Sequence, residues 1–153
     1  MQTTKLDALP KWDKRFIEMA EFVADWSKDP STKVGAVIVR PDRTIASVGF
    51  NGFARGVLDT AERLSNRELK YPLTVHAEIN AILSAKEPVR GHTLYVSPLS
   101  PCTTCAGAII QAGISQVVAK CGHIANPSQW SELFKLAIIS LDEAGVSVTI
   151  VED

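Results

Sequence analysis

Four residues carry types and spacing that suggest chemistry: His76, Glu78, Cys102 and Cys105. One imidazole and two thiolates are borderline-to-soft ligands that suit Zn²⁺, and three protein ligands leave the fourth tetrahedral position for water. Glu78 follows His76 by two residues. At a helix start that spacing sets its carboxylate beside the metal, where it can move a proton between water and a substrate. A lone C-x-x-C would say little. The order His76-Ala77-Glu78, then Pro101-Cys102-Thr103-Thr104-Cys105, says much more.

Both ligand pieces must open helices, because helix N-termini favour thiolate and stabilise nearby carboxylate. The pattern predicts a metal helix over 75–86 and a second over 102–112, closed by Gly113. Other helices are expected over 14–28, capped by Asp13, over 61–69, and over 127–144. Strands are expected over 34–39, 44–50, 93–96, 116–120 and 146–151, the first two forming a hairpin around Pro41-Asp42-Arg43. The final strand–helix–strand order implies a right-handed crossover and a parallel pair. The expected fold is α/β: a three-layer α/β/α sandwich on a mixed five-stranded sheet. Residues 51–75 are a long connection, and their place just before the metal helix suits a substrate-covering segment.

The chain has 153 residues, 46% of them hydrophobic and 22% charged, which suits one domain spanning 1–153 with a loose tail over 1–11. A net charge of −1 and the lack of a basic stripe argue against a nucleic-acid partner. No apolar run reaches the roughly 20 residues of a membrane span, and Met1 to Pro10 lacks a signal-peptide core. Three cysteines, an odd number, fit a reducing, cytoplasmic compartment. Cys121 reads as a buried apolar residue, His92 as a satisfied surface or strand-edge histidine, and His123 as either a loop residue or part of an active-site rim.

The H-x-E…P-C-x-x-C order is the stated signature of zinc nucleobase deaminases. With it, the chain resembles the cytidine deaminase-like superfamily, and within it the deoxycytidylate deaminases. The segments that carry the resemblance are Ser27-Lys28-Asp29-Pro30-Ser31-Thr32-Lys33, Gly49-Phe50-Asn51-Gly52, Lys70-Tyr71-Pro72 and Ile109-Ile110-Gln111-Ala112-Gly113. The resemblance implies zinc-dependent hydrolytic deamination of dCMP to dUMP, which feeds thymidylate synthesis. It assigns His76, Cys102 and Cys105 to the zinc, Glu78 to proton transfer and Asn51 to the sugar. The Ala77 and Cys105 backbone N–H groups are candidates to meet the base. Lys28, Ser31 and Lys33 lie where relatives meet the phosphate. Gly52 and Arg55 fall in a stretch tied to nucleotide effectors, with dCTP as activator and dTTP as inhibitor in a homo-oligomer, a hexamer favoured. Residues 53–75 contain neither Cys nor His, so one zinc per chain is expected.

Other readings stay open at this point. The same chemistry could act on a modified deoxycytidylate, a nucleoside, a free base or an RNA base. A closed structural zinc site using Cys121 or His123 would make the chain a non-catalytic module, and a C-x-x-C at a helix start is also a redox arrangement. Glu78 discriminates, since neither alternative has a use for it.

Overall fold

The computed structural model describes residues 1–121 and 131–153. The elements are β1 (Gln2–Lys5), α1 (Lys11–Ala24), β2 (Gly35–Val39), β3 (Ile45–Phe50), β4 (Gly52–Phe53), α2 (Ala61–Ser65), α3 (Arg67–Leu73), β5 (Thr74–Val75), α4 (Ala77–Ser84), β6 (Thr93–Ser97), α5 (Thr103–Ala112), β7 (Gln116–Lys120), α6 (Glu132–Glu143) and β8 (Ser147–Glu152).

One mixed sheet runs β1-β8-β7-β6-β2-β3. β1, β8, β7 and β6 are parallel to one another, whereas β2 is antiparallel to both β6 and β3. Side chains alternate across it, as a strand's period of two requires. Ala36, Ile38, Leu94, Val96, Val117, Ala119, Val148 and Ile150 face α4, α5 and α6. Val37, Val39, Tyr95, Val118 and Val151 face Phe16, Ile17 and Ala20 of α1. The result is the expected three-layer sandwich, with helices on both faces.

The sheet has six strands among the described residues, not five, because residues 2–5 are not loose. They pair in parallel with β8, from Gln2 opposite Thr149 to Lys5 opposite Glu152. Their sequence, Gln-Thr-Thr-Lys, shows no apolar alternation, since an edge strand can be held by its neighbour's ladder alone while its side chains stay in water.

Asp13 does not cap α1. The helix begins two residues earlier behind Pro10, and Asp13 instead accepts a 2.6 Å hydrogen bond from the Tyr95 hydroxyl. The expected helix over 61–69 is two helices, capped by the side chains of Thr60 and Asn66. Their connection is closed by a short ladder in which Gly52 and Phe53 of β4 pair with Val75 and Thr74 of β5. The long segment therefore leaves and rejoins the body at one place, directly before His76. His92 is buried rather than at the surface, and neither ring nitrogen has a partner among the described residues. Gly113 takes the left-handed conformation (φ 82°) that ends α5. The first residues of the helix expected over 127–144, and His123, lie outside the described residues. Ser131 caps the helix that begins at Glu132.

Candidate active site

His76 and Cys102 are the N-cap residues of α4 and α5, each in extended backbone immediately before the first helical turn. The two helices pack side by side on one face of the sheet, so their N-termini meet. Cys105 lies one turn into α5 and sends its backbone N–H to Cys102 Sγ at 3.5 Å. His76 Nδ1 lies 3.3 Å from Cys105 Sγ and 3.5 Å from Cys102 Sγ.

Those separations are informative. Zn–S bonds of about 2.3 Å and Zn–N bonds of about 2.0 Å at a tetrahedral angle place N and S about 3.5 Å apart. All three ligand atoms lie within 4.8 Å of one another, and among the described residues no other group of three His, Cys, Asp or Glu side chains converges this way. The donor set and its spacing fit one Zn²⁺. Cys121 is buried elsewhere, where burial pushes its thiol up to about 11, and it is not part of the group.

The electrostatics follow from hydrogen bonding among the three ligands. Hydrogen bonds from the Cys105 thiol and from His76 pull the Cys102 thiol down to about 3. The same bond to Cys102, together with burial, pushes the Cys105 thiol up. Hydrogen bonding to Cys102 raises His76 against the effect of its own burial. This cluster thus shares protons that a cation would replace.

Glu78 is 4% exposed, on the inward face of the first turn of α4. Burial raises its carboxyl above the usual carboxylate range, opposed by its own backbone N–H and by His76. A carboxyl held in this way can both take and give a proton.

His76, Ala77, Glu78 and Cys102 line a cavity of about 270 Å³ together with Asp29, Ser31, Thr32, Asn51 and Lys70. Asn51 is buried, and its side chain is engaged with the chain itself. Oδ1 accepts from the Val34 N–H at 2.9 Å and Nδ2 donates to the Thr32 carbonyl at 2.9 Å. Of the three residues expected near a phosphate, only Ser31 lines this cavity. Lys28 forms a 2.8 Å ion pair with Asp59 and faces a second cavity of about 230 Å³, which Gly52 also lines. Lys33 lies on another side of the molecule, with Glu21, Lys120 and Asp153. Arg55 is exposed in the long connection and lines neither cavity.

Sequence reasoning gave no role to Lys70 and Asp29. Both are buried, and Lys70 Nζ lies 3.1 Å from Asp29 Oδ1. The pair joins two segments 41 residues apart, which no local pattern connects. The available signal was a lysine in Lys70-Tyr71-Pro72 so close to the metal helix.

Comparison with known proteins agrees with this geometry. Residues 10–121 match the model of the cytidine and deoxycytidylate deaminase zinc-binding region. A protein of Aliivibrio fischeri named as an uncharacterized deaminase in the luxG 3′ region is 48% identical over 141 residues, which cover 92% of this chain and 94% of its own. Human deoxycytidylate deaminase is 40% identical over 122 residues, covering 74% of this chain and 67% of that protein. Among solved structures, the dCMP deaminase of cyanophage S-TIM5 in complex with dCMP and dUMP superposes with a TM-score of 0.72 at 25% identity, over 93% of this chain and 98% of that one. With His76, Glu78, Cys102 and Cys105 all inside the matched region, the chain belongs to the cytidine and deoxycytidylate deaminase zinc-binding family.

Proposed function

We propose that this chain is a zinc-dependent hydrolase that converts dCMP to dUMP with release of ammonia, supplying dUMP for thymidylate synthesis. The observation that carries the proposal is the convergence of His76, Cys102 and Cys105 beside the buried carboxyl of Glu78, on the wall of one cavity. The relatives named above support deoxycytidylate as the substrate.

His76, Cys102 and Cys105 would hold the zinc, which when bound lowers the pKa of water and makes it a nucleophile near neutral pH. The protein's own groups do the rest. Water adds at the ring carbon bearing the amino group, and Glu78 accepts its proton and passes it to the adjacent ring nitrogen. A second transfer by Glu78 protonates the amino group, which leaves as ammonia while the carbonyl forms. The buried N–H of Ala77, in the first turn of α4, is a donor for the base. Asn51 and Ser31 complete the wall on the sugar and phosphate side.

The proposal extends to regulation and assembly. The second cavity shares Asp29, Asn51 and Thr74 with the first, which supports an effector site there for dCTP and dTTP that reaches the substrate through Asn51. Gly52 belongs to that cavity's wall, as do Phe53 and Asp59 on either side of Arg55 in the chain. Leu133, Leu136 and Ile139 leave an exposed apolar stripe on α6, which supports a homo-oligomer, with a hexamer as the favoured form. No helix of the described residues is long and apolar enough to cross a membrane, and the three cysteines are free, which supports a cytoplasmic location.

The deciding experiment is ammonia release measured against dCMP, deoxycytidine, CMP, cytosine and a cytosine-containing oligonucleotide. Preferred turnover of dCMP to dUMP is expected. Turnover of deoxycytidine or cytosine with dCMP inert would overturn the substrate assignment.

A further inference from the structure

Lys70 is 4% exposed. A buried ammonium is costly unless its N–H groups are used, and an ammonium has three of them. Among the described residues its one hydrogen-bond partner is Asp29 Oδ1 at 3.1 Å, and its Nζ also lies 5.7 Å from the centre of the Tyr71 ring. That same Asp29 oxygen accepts from the Ser31 N–H at 2.8 Å and the Thr32 N–H at 3.0 Å. Asp29 therefore fixes where the ammonium sits without using all its donors. Lys70, Ser31 and Thr32 all line the cavity that holds Glu78. The other cations nearby face elsewhere: Lys28 is on Asp59, and Lys33 lines a different cavity with Glu21 and Asp153.

We propose that Lys70, held by Asp29, is the specificity-determining residue that recognises the substrate's 5′-phosphate. This rests on the reading of the chain as a dCMP deaminase. A phosphate oxygen accepts the N–H groups that Asp29 leaves over, in a charge-assisted bond stronger than one to a neutral hydroxyl. A nucleoside offers no such acceptor and leaves a buried ammonium under-bonded. That is the arrangement by which a polar site rejects a ligand lacking the group it was built for. The Asp29 carboxylate limits the site's net charge, so the ammonium gives direction to an anion rather than a general attraction.

The test uses the zinc-loaded protein and two product ligands, dUMP and deoxyuridine, whose dissociation constants are measured for wild type, Lys70→Met and Lys70→Arg, with zinc content recorded for each. The preference for dUMP over deoxyuridine is expected to fall about 10- to 100-fold in Lys70→Met, with part of it kept by Lys70→Arg. Equal weakening of both ligands would overturn the proposal and leave Lys70 as a clamp between the long connection and the Asp29 segment. Should neither variant fold, the crystal structure of wild type with dUMP decides: a phosphate oxygen within hydrogen-bond distance of Lys70 Nζ supports the proposal, and a phosphate held elsewhere sinks it. The two readings fail separately. Wild type that holds the dUMP phosphate on Lys70 yet releases no ammonia from dCMP would remove the deaminase assignment alone. Wild type that turns over dCMP with its phosphate elsewhere would remove only the role of Lys70.

Discussion

Gly49 of β3 and Ala81 of α4 meet backbone to backbone: a Cβ on Gly49 would stand 2.4 Å from the Ala81 nitrogen and 2.4 Å from the Ala77 carbonyl oxygen. Neither atom belongs to a side chain that can swing away. The absence of a Cβ is thus what lets α4 lie against the strand with His76 and Glu78 at its start. Gly49→Ala should push α4 outward. Overpacking of this kind costs about 1–3 kcal/mol, and the ligand trio should loosen with it. The expected result is a lower melting temperature together with weaker zinc retention, measured by thermal unfolding and metal analysis under chelator competition. A variant with wild-type zinc affinity would mean that α4 accommodates the methyl without moving the ligands.

Glu78→Gln keeps the size of the side chain and leaves His76, Cys102 and Cys105 untouched. It removes the carboxyl proposed to move the protons. The variant should fold, bind one zinc and lose turnover by about 10²–10⁴-fold, the usual contribution of a general acid–base group. Because burial disfavours the charged form of Glu78, its neutral replacement should also be at least as stable as wild type. Turnover and zinc content measured on one preparation separate the outcomes: near-normal turnover removes Glu78 from the chemistry, and loss of zinc makes it a ligand.

Asp29 gives a pH prediction whose sign follows from its surroundings. Burial works against its charge, but the N–H groups of Thr32 and Ser31 and the Lys70 ammonium prevail and hold the carboxyl below its ordinary value of 3.8. A carboxyl lowered on folding contributes stability that is fully present above its unfolded value and is lost as pH falls through its folded one. The stability gap between wild type and Asp29→Asn should therefore be constant above about pH 5 and shrink as pH is lowered toward 2. Denaturant unfolding across that range measures it. A gap that does not change with pH would show that the carboxylate charge carries none of the effect.

How much of this could be seen in the sequence depends on the range of the interaction. The ligand trio and Glu78 were legible because each sits within one turn of a helix start, and Pro101, the Cys pair and His76-Ala77-Glu78 mark those starts locally. The inner strands were legible from continuous Val and Ile runs. β1 was not, since an edge strand of Gln, Thr and Lys is specified by the ladder of β8 rather than by its own side chains. Lys28 and Lys33 were expected near the phosphate because relatives meet it there, but flanking residues of a turn point to different sides: Lys28 pairs with Asp59 from a distant segment, and Lys33 lines a separate cavity with Glu21. The Lys70–Asp29 pair was invisible for the same reason. His92 was misplaced because the imidazole's polarity outweighed the apolar company that Val89 and Leu94 provide at the start of β6.

Asn51 was expected to face the sugar, and what its amide is seen to do is hold the chain from Thr32 to Val34. The amide oxygen and nitrogen each use one bond on that segment, and each has one more to offer to a ligand in the cavity. Asn51→Ala would strip a partner from the Val34 N–H and from the Thr32 carbonyl. Both lie in a part-buried stretch, so each hydrogen bond lost costs about 0.5–1.5 kcal/mol. A lower melting temperature is therefore expected whatever the sugar does. The sugar contact is read separately, by comparing dCMP with its 3′-deoxy analogue on wild type and variant. If Asn51 meets the 3′-hydroxyl, wild type should favour dCMP and Asn51→Ala should lose most of that preference, since the alanine cannot distinguish the two. Asn51→Asp sharpens the comparison: it keeps the acceptor for Val34 but turns an oxygen toward the Thr32 carbonyl, so it should lose stability while retaining an acceptor for the hydroxyl. An unchanged preference in Asn51→Ala, with the melting temperature lowered, would leave Asn51 as the residue that shapes the pocket wall and no more.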